Sequence, residues 1–295
     1  MLIHRSGLAW LMAASIAAPS IAMAAIDIAP LWNFGNPELS EQRFRAALAT
    51  ASGDDTLILQ TQIARTYGLR RDFAKAQALL REMEPQLASA GAEARIRHAL
   101  ETGRTFSSAT HSPDSQTPEV RDRARAAYQR AIDLGLEAKR DDLVIDAIHM
   151  LAFVDTRPED QLKWGQRGLD VAMASQQPLA RAWEASLRNN MGYALYQMGR
   201  NEEALGQFQR AASLREALGN PERTRVAHWM VAMTLRTLKR VDEALAIQLR
   251  LEAENQAAGK PDLHVFTELE LLYRARGDES RAALYAQRRA VLVKQ

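Results

Sequence analysis

No cysteine occurs among the 295 residues. Disulfides, a thiolate nucleophile and thiolate metal ligation are therefore excluded, whatever the redox state of the compartment. Aromatic residues make up only 6% of a chain that is 47% hydrophobic, so its core must be built from Ala, Leu, Ile and Met, which favour helix. No alternating Val/Ile/Thr run bounded by turn residues follows the first thirty positions, and an all-α chain is expected. An excess of one charge is missing too: 38 Lys and Arg face 36 Asp and Glu, with the signs alternating along the chain. Nucleic-acid binding requires a concentrated basic face, so no nucleic-acid partner is expected. GxSxG, HExxH and phosphate-cradling glycine loops are absent, which leaves no motif that supplies catalysis by itself.

Nor is there a hydrophobic run of bilayer length. The first segment, MLIHRSGLAWLMAASIAAPSIAMAA, has Arg5 in a basic head, an apolar stretch over 7–18 and Ala22-Met23-Ala24 as a small-x-small cleavage signal. The apolar stretch is shorter than the roughly 20 residues that span a bilayer, and Pro19 and Ser20 end it. A signal peptide over 1–24 is expected, with cleavage after Ala24. Without a cysteine at that point, lipid attachment of the bacterial lipoprotein type is excluded. The mature chain is expected to be periplasmic or secreted, with no stable membrane anchor. Its organisation is read as an N-terminal segment and leading helix over 25–54, then a helical-repeat domain over 55–295.

What the chain does have is a recurring helical pattern. In SLRNNMGYALYQMGRNEEALGQFQRA, Leu187, Met191, Ala194, Leu195 and Met198 recur at helical spacing, and Gly199-Arg200-Asn201 interrupts them before a second amphipathic run. Two antiparallel helices follow from this. Gly192 and Ala204 belong on the faces that meet, where small side chains let the backbones approach, and Phe208 and Ala211 point to one side of the second helix. Ala212 is placed on a more exposed flank.

The arrangement recurs at Ile63-Ala64, Tyr67, Ala76 and Leu80, at Val231-Ala232, Leu235, Ala244 and Leu251, and at Leu269, Tyr273 and Ala282. Shorter echoes stand at Ser40, Phe44 and Ala47 and at Ala124, Tyr128 and Ala131. Equivalent small residues are roughly forty positions apart, except for one gap of about eighty that hides a degenerate unit. There Gln161, Gly165 and Gly168 take the places of Ala204, Phe208 and Ala211. Breaks near Gly53, Arg71, Gly91, Gly135, Pro158, Pro178, Gly199, Pro221, Lys239, Pro261 and Gly277 delimit a leading helix over 38–51 and about six helix pairs.

This pattern resembles the tetratricopeptide repeat (TPR) family, whose signature runs large apolar, Leu-Gly, Tyr, Ala, Phe. The resemblance implies a right-handed superhelical solenoid of antiparallel helix pairs, with the first helix of each pair lining a concave surface that binds a protein or peptide. On that frame the concave surface holds Thr61, Gln62 and Arg65, then Asp146, Met150 and Phe153, then Asn189, Asn190, Tyr193 and Gln197, then Trp229, Met230 and Met233, then Glu268 with Arg274. The groove residues expected to bind are Arg65, Met150, Asn189, Asn190, Tyr193, Gln197, Trp229 and Met233. Met and aromatic side chains suit a segment with apolar anchors. Asn190 matches the Asn with which some family members clamp a terminal carboxylate. Val226 and Met230 fall where Lys and Arg would be needed, so that clamp is not expected. No cofactor and no metal are implied.

Other readings have less behind them. Asp146 and His149 stand three apart, a metal-site spacing in helix bundles, but no second such pair accompanies them, and a packed, hydrogen-bonded histidine is expected. The Ser/Thr/Pro-rich stretch 104–120 reads as a surface loop between two helices of one pair. A cell-wall lyase would need about a hundred residues for a catalytic domain, and the repeats use nearly the whole mature chain. A self-assembling structural protein is the main alternative to a binding scaffold. Arg281, Arg288, Arg289 and Lys294 in the last helix read as the polar face of a solenoid cap, which favours a monomer.

Overall fold

The computed structural model describes residues 26–293. The segment 1–24, with its Ala22-Met23-Ala24 signal, lies outside the described residues. The helices are α1 (Pro37–Leu48), α2 (Asp54–Leu69), α3 (Phe73–Met83), α4 (Ala92–Phe106), α5 (Pro118–Glu137), α6 (Asp141–Val154), α7 (Pro158–Ala174), the single turn α8 (Pro178–Arg181), α9 (Glu184–Gln197), α10 (Asn201–Ala217), α11 (Pro221–Thr237), α12 (Val241–Ala257), α13 (Leu263–Ala275) and α14 (Glu279–Val293). Among the described residues there is no strand. After α1 the helices pair as α2/α3, α4/α5, α6/α7, α9/α10, α11/α12 and α13/α14, each pair packed on the next. The architecture is an all-α solenoid of antiparallel helix pairs.

Local chemistry sets the helix ends. Pro37, Pro118, Pro158, Pro178 and Pro221 open their helices, where the missing N–H is no loss and φ is already set. Asn36, Thr117 and Asn220 accept hydrogen bonds from backbone N–H groups in the first turn, satisfying donors that the helix leaves free. Between α9 and α10 the chain reverses through Gly199 at φ 74°, a left-handed backbone that glycine adopts without penalty.

Small residues decide how closely helices approach. A Cβ on Gly192 would sit 2.8 Å from the Phe208 ring, and one on Gly103 would sit 2.5 Å from the Tyr128 ring. The two contacts are equivalent, in α9/α10 and in α4/α5. In the degenerate unit the relation is reversed. Gly165 and Gly168 leave room on α7 that Met191 and Leu187 of α9 occupy, so the missing aromatic is replaced from the following pair.

Two boundaries and one burial differ from the sequence reading. Gly135 lies inside α5, and the reversal comes at Lys139, φ 53°. Gly135 is small because Val144 of α6 approaches it: a Cβ would meet Val144 Cγ2 at 2.6 Å. Ala212 is buried, at 4% exposure, in the core of the C-terminal pairs, because α11 packs over that side of α10. The stretch 104–120 is a loop only over 107–117, since Arg104 belongs to α4 and 118–120 to α5.

Packing between pairs is not uniform. At most junctions the first helix of a pair rests on the second helix of the pair before it, as α6 rests on α5 and α11 on α10. At the first junction α4 packs chiefly on α2 and only lightly on α3. The Asp54 carboxylate at the start of α2 accepts the Gly91 N–H at 2.9 and 3.0 Å. A Cβ at Gly91 would lie 2.2 Å from that carboxylate, so glycine lets the start of α4 dock beside the start of α2.

Candidate functional site

The shared face of α2, α4 and α6 holds a cavity of about 250 Å³. Its floor is ionic. Arg104 of α4 donates to Asp146 of α6 at 2.6 Å and also bonds Glu101, one turn earlier on its own helix. Arg65 of α2 approaches Glu101 at 3.9 Å. Glu101 is 2% exposed and Arg104 9%. Glu101 and Arg104 therefore sit in poor contact with water and Arg65 and Asp146 are half-buried beside them, which is tolerable only because the charges are paired.

Electrostatics fixes their charge states. Burial acts to raise the Asp146 carboxyl, but the Arg104 and Arg65 guanidinium groups outweigh it and hold Asp146 below the usual carboxylate range. Burial acts to lower Arg104, and Asp146 with Glu101 more than reverses it. Burial lowers Arg65, helped by the like charge of Arg104. His149, one helical turn beyond Asp146, is held below its ordinary value by burial, which outweighs the pull of Asp146. It is thus neutral near pH 7. Its Nδ1 lies 3.1 Å from the Asn190 amide nitrogen of α9, which can donate to the unprotonated ring nitrogen.

The walls are apolar and aromatic. Met150, Phe153 and Trp183 line the cavity with Ala64 and Leu69, and His149 packs edge-on to Phe153 at 5.5 Å and tilted against Trp183 at 5.4 Å. Trp183 reaches the site because the single turn α8 sets it just ahead of α9. The loop over 107–117 forms the rim: Ser108, Ala109 and Thr110 line the opening. That loop is held in place. Tyr128 donates to the Ser107 carbonyl at 2.5 Å, Thr110 donates to the Gly68 carbonyl at 3.2 Å, and His111 stacks on Phe73 at 3.8 Å.

The residues expected in the groove are distributed as follows. Arg65 and Met150 line the cavity, and Asn190 braces its histidine. Asn189, Tyr193 and Gln197, also on α9, do not line it, and Tyr193 is 47% exposed. Trp229 opens instead into a separate cavity of about 610 Å³ at the α11/α13 junction. There it meets His264 edge-on at 5.7 Å, and its indole N–H is buried without a partner. Met233 is 8% exposed and packs in the C-terminal core. Thr61 and Gln62 are fully buried, because the segment before α1 folds over α2. Trp32 donates to Gln62 at 3.2 Å, and Arg65 lies over the stacked rings of Trp32 and Phe34.

Sequence reading did not single out Glu101, Arg104 or Trp183. The only signal for the first two is their spacing of three on a helix, which usually marks a solvated surface pair. His149 is the packed, hydrogen-bonded histidine expected of it. Among the described residues no group of three His, Asp or Glu could hold a metal ion, and no helix is long and apolar enough to cross a membrane.

Residues 183–253 match the family model for the tetratricopeptide repeat; these are Trp183, α9, α10, α11 and most of α12. No curated protein matches the chain in sequence. Among solved structures it is similar to a signal transduction ATPase with numerous domains that bears a tetratricopeptide repeat sensor, from Pyrococcus horikoshii. The TM-score is 0.67 at 12% identity, over 88% of this chain and 41% of that one, so this chain spans well under half of that protein. It is similar too to pilF of Pseudomonas aeruginosa, with TM-score 0.57, 17% identity and coverage of 81% and 92%. A third similarity is to a Rap protein complexed with competence and sporulation factor, with TM-score 0.52, 14% identity and coverage of 88% and 80%. At these identities the likeness is one of fold: a helical-repeat solenoid of tetratricopeptide type.

Proposed function

We propose that this chain is an exported, non-catalytic scaffold that binds a protein or peptide segment on the face shared by its first helices. One observation supports this reading above the others. Consecutive first helices α2, α4 and α6, with Trp183 before α9, present one cavity whose walls are Met150, Phe153 and Trp183 and whose floor is a fixed ionic cluster. Apolar walls supply binding area and a few oriented polar groups supply specificity. The similarly folded Rap protein seen with competence and sporulation factor supports a peptide as occupant. On this reading Asn189, Tyr193 and Gln197 of α9 belong to the same binding face, and Trp229 with its unpartnered indole N–H is a second anchor. Export, to the periplasm or outside the cell, is supported by the basic head, apolar run and Ala22-x-Ala24 of the sequence.

The test is selection of a phage-displayed peptide on the full chain, followed by calorimetric titration. Tyr193→Ala and Phe153→Ala are expected to weaken the selected peptide at least tenfold, and Ser213→Glu, on the exposed side of α10, to leave it unchanged. Equal affinities in all three would move the site elsewhere. Intact mass of protein recovered from its native compartment should begin at Ala25; full-length chain in the cytoplasm would sink the localisation.

A second reading, self-assembly through the C-terminal end, has one observation in its favour. Arg288 and Arg289 of α14 turn inward to Glu252 and Glu270, while Leu284, Val291 and Val293 are 49%, 55% and 67% exposed. The end helix is thus less polar outside than its sequence implies. Sedimentation equilibrium separates the readings: a monomer mass at every concentration supports the scaffold, and a mass rising with concentration supports assembly.

A further inference from the structure

The unusual first junction leaves a second opening, on a different face of α4 from the ionic cluster. Because α4 rests on α2 and α3 ends at Met83, with Pro85 in the turn that follows, a cavity of about 500 Å³ remains between the end of α3, α4 and α5. Arg95, His98 and Thr102 of α4 and Arg130 of α5 line it. Arg95 Nε and Thr102 Oγ1 are buried with no hydrogen-bond partner. Their neighbours Arg97 and Arg125 are paired with Glu93 and Asp122 at 2.7 Å, but Arg95 and Arg130 form no ion pair among the described residues. The single carboxylate on the rim is Glu84, which is exposed. Leu87, Ala99 and Ala127 supply an apolar wall.

We propose that this cleft binds an oxoanion, carboxylate or phosphate, attached to a short apolar body. Unmet buried donors are costly, and an oxoanion satisfies several at once. The guanidinium fork matches the geometry of carboxylate and phosphate oxygens. The volume exceeds what a bare inorganic anion fills, and the alanine and leucine wall accounts for the remainder. This site shares no lining residue with the proposed peptide face, so the two proposals fail independently.

The experiment is ligand-observed NMR titration of the full chain with hexanoate, hexyl phosphate and hexylamine as probes. At least one of the two anions should bind and hexylamine should not; which anion binds more tightly identifies a carboxylate or a phosphate ligand. Arg130→Gln, an exposed position that folding tolerates, and Arg95→Gln should each weaken the bound anion at least tenfold. Ala127→Leu should block it by filling the cavity. Binding of neither anion, equal binding of hexylamine, or unchanged affinity in Arg130→Gln and Ala127→Leu would overturn the proposal.

Discussion

The pairs α9/α10 and α11/α12 are near copies of each other, and α2 to α6 are not. In the copies, Arg200 and Arg240 each stand ahead of the second helix and grip the glutamate three residues on, Glu203 or Glu243, through two contacts of 2.7 Å. These pairs are exposed and local. Elsewhere arginine is used differently: Arg104 links α4 to α6 through Asp146 at 2.6 Å, Arg140 links α6 to α4 through Glu93, and Arg236 links α11 to α13 through Glu268 at 2.7 and 3.0 Å. The difference teaches where charge serves the repeat and where it serves a particular surface. Exposed pairs within one helix contribute little to stability. Buried pairs between helices stabilise no better than apolar packing would, yet are costly to break, so they fix a geometry that the repeat by itself does not require.

The largest effect is expected at that cluster. Asp146→Ala leaves buried Arg104 with Glu101 alone and should cost about 3 kcal/mol in urea melts; a loss below about 1 kcal/mol would put the cluster on the surface with the exposed pairs. Next comes the close contact in the regular half. Gly192→Ala places a Cβ 2.8 Å from the Phe208 ring and should cost about 1–3 kcal/mol. Gly206→Ala meets no atom within 4 Å and should stabilise by about 1 kcal/mol through helix propensity. Effects of the same sign would show that α9 and α10 do not meet at Gly192.

Acid should sharpen the comparison, since both depressed histidines, His149 and His111, lie in the N-terminal half. Burial lowers each of them below its ordinary value. From about pH 6.5 downward, the unfolded chain takes up protons that the folded protein does not. Stability should therefore fall with pH between about 6.5 and their depressed folded values, and these two groups should not alter it above that window. Thermal melts of His149→Gln should show a shallower decline than the parent across the same range; an unchanged slope would mean that His149 titrates normally. The smallest effect is expected for Arg200→Ala, which removes an exposed pair and should cost less than about 1 kcal/mol.

How far the sequence reveals this structure follows from the range of the interactions. The pairing of helices was legible because small residues, glycine reversals and opening prolines act locally: Gly192, Ala204, Gly199 and Pro221 each stand where the pattern places them. The ionic cluster was not legible. Its members are Arg65, Glu101, Arg104 and Asp146, on three helices, and nothing local says that the 101/104 pair faces Asp146 and not water. Gly135 misled for a related reason: it is small to admit Val144 from the next helix, which resembles a helix break in sequence. Ala212 misled because its burial comes from the following pair.

In the proposed function a ligand segment lies in the cavity framed by α2, α4 and α6, with the loop over 107–117 as its rim. The most direct measurement is photo-crosslinking of the selected peptide to p-benzoylphenylalanine placed at Ala109 or, in a separate protein, at Ala126. Both alanines are exposed, so both replacements leave the core alone. Ala109 lines the opening and Ala126, on α5, does not. Crosslinking from position 109 and not from 126 is the predicted result. Crosslinking from 126 with none from 109 would place the ligand on the second helices and contradict the account.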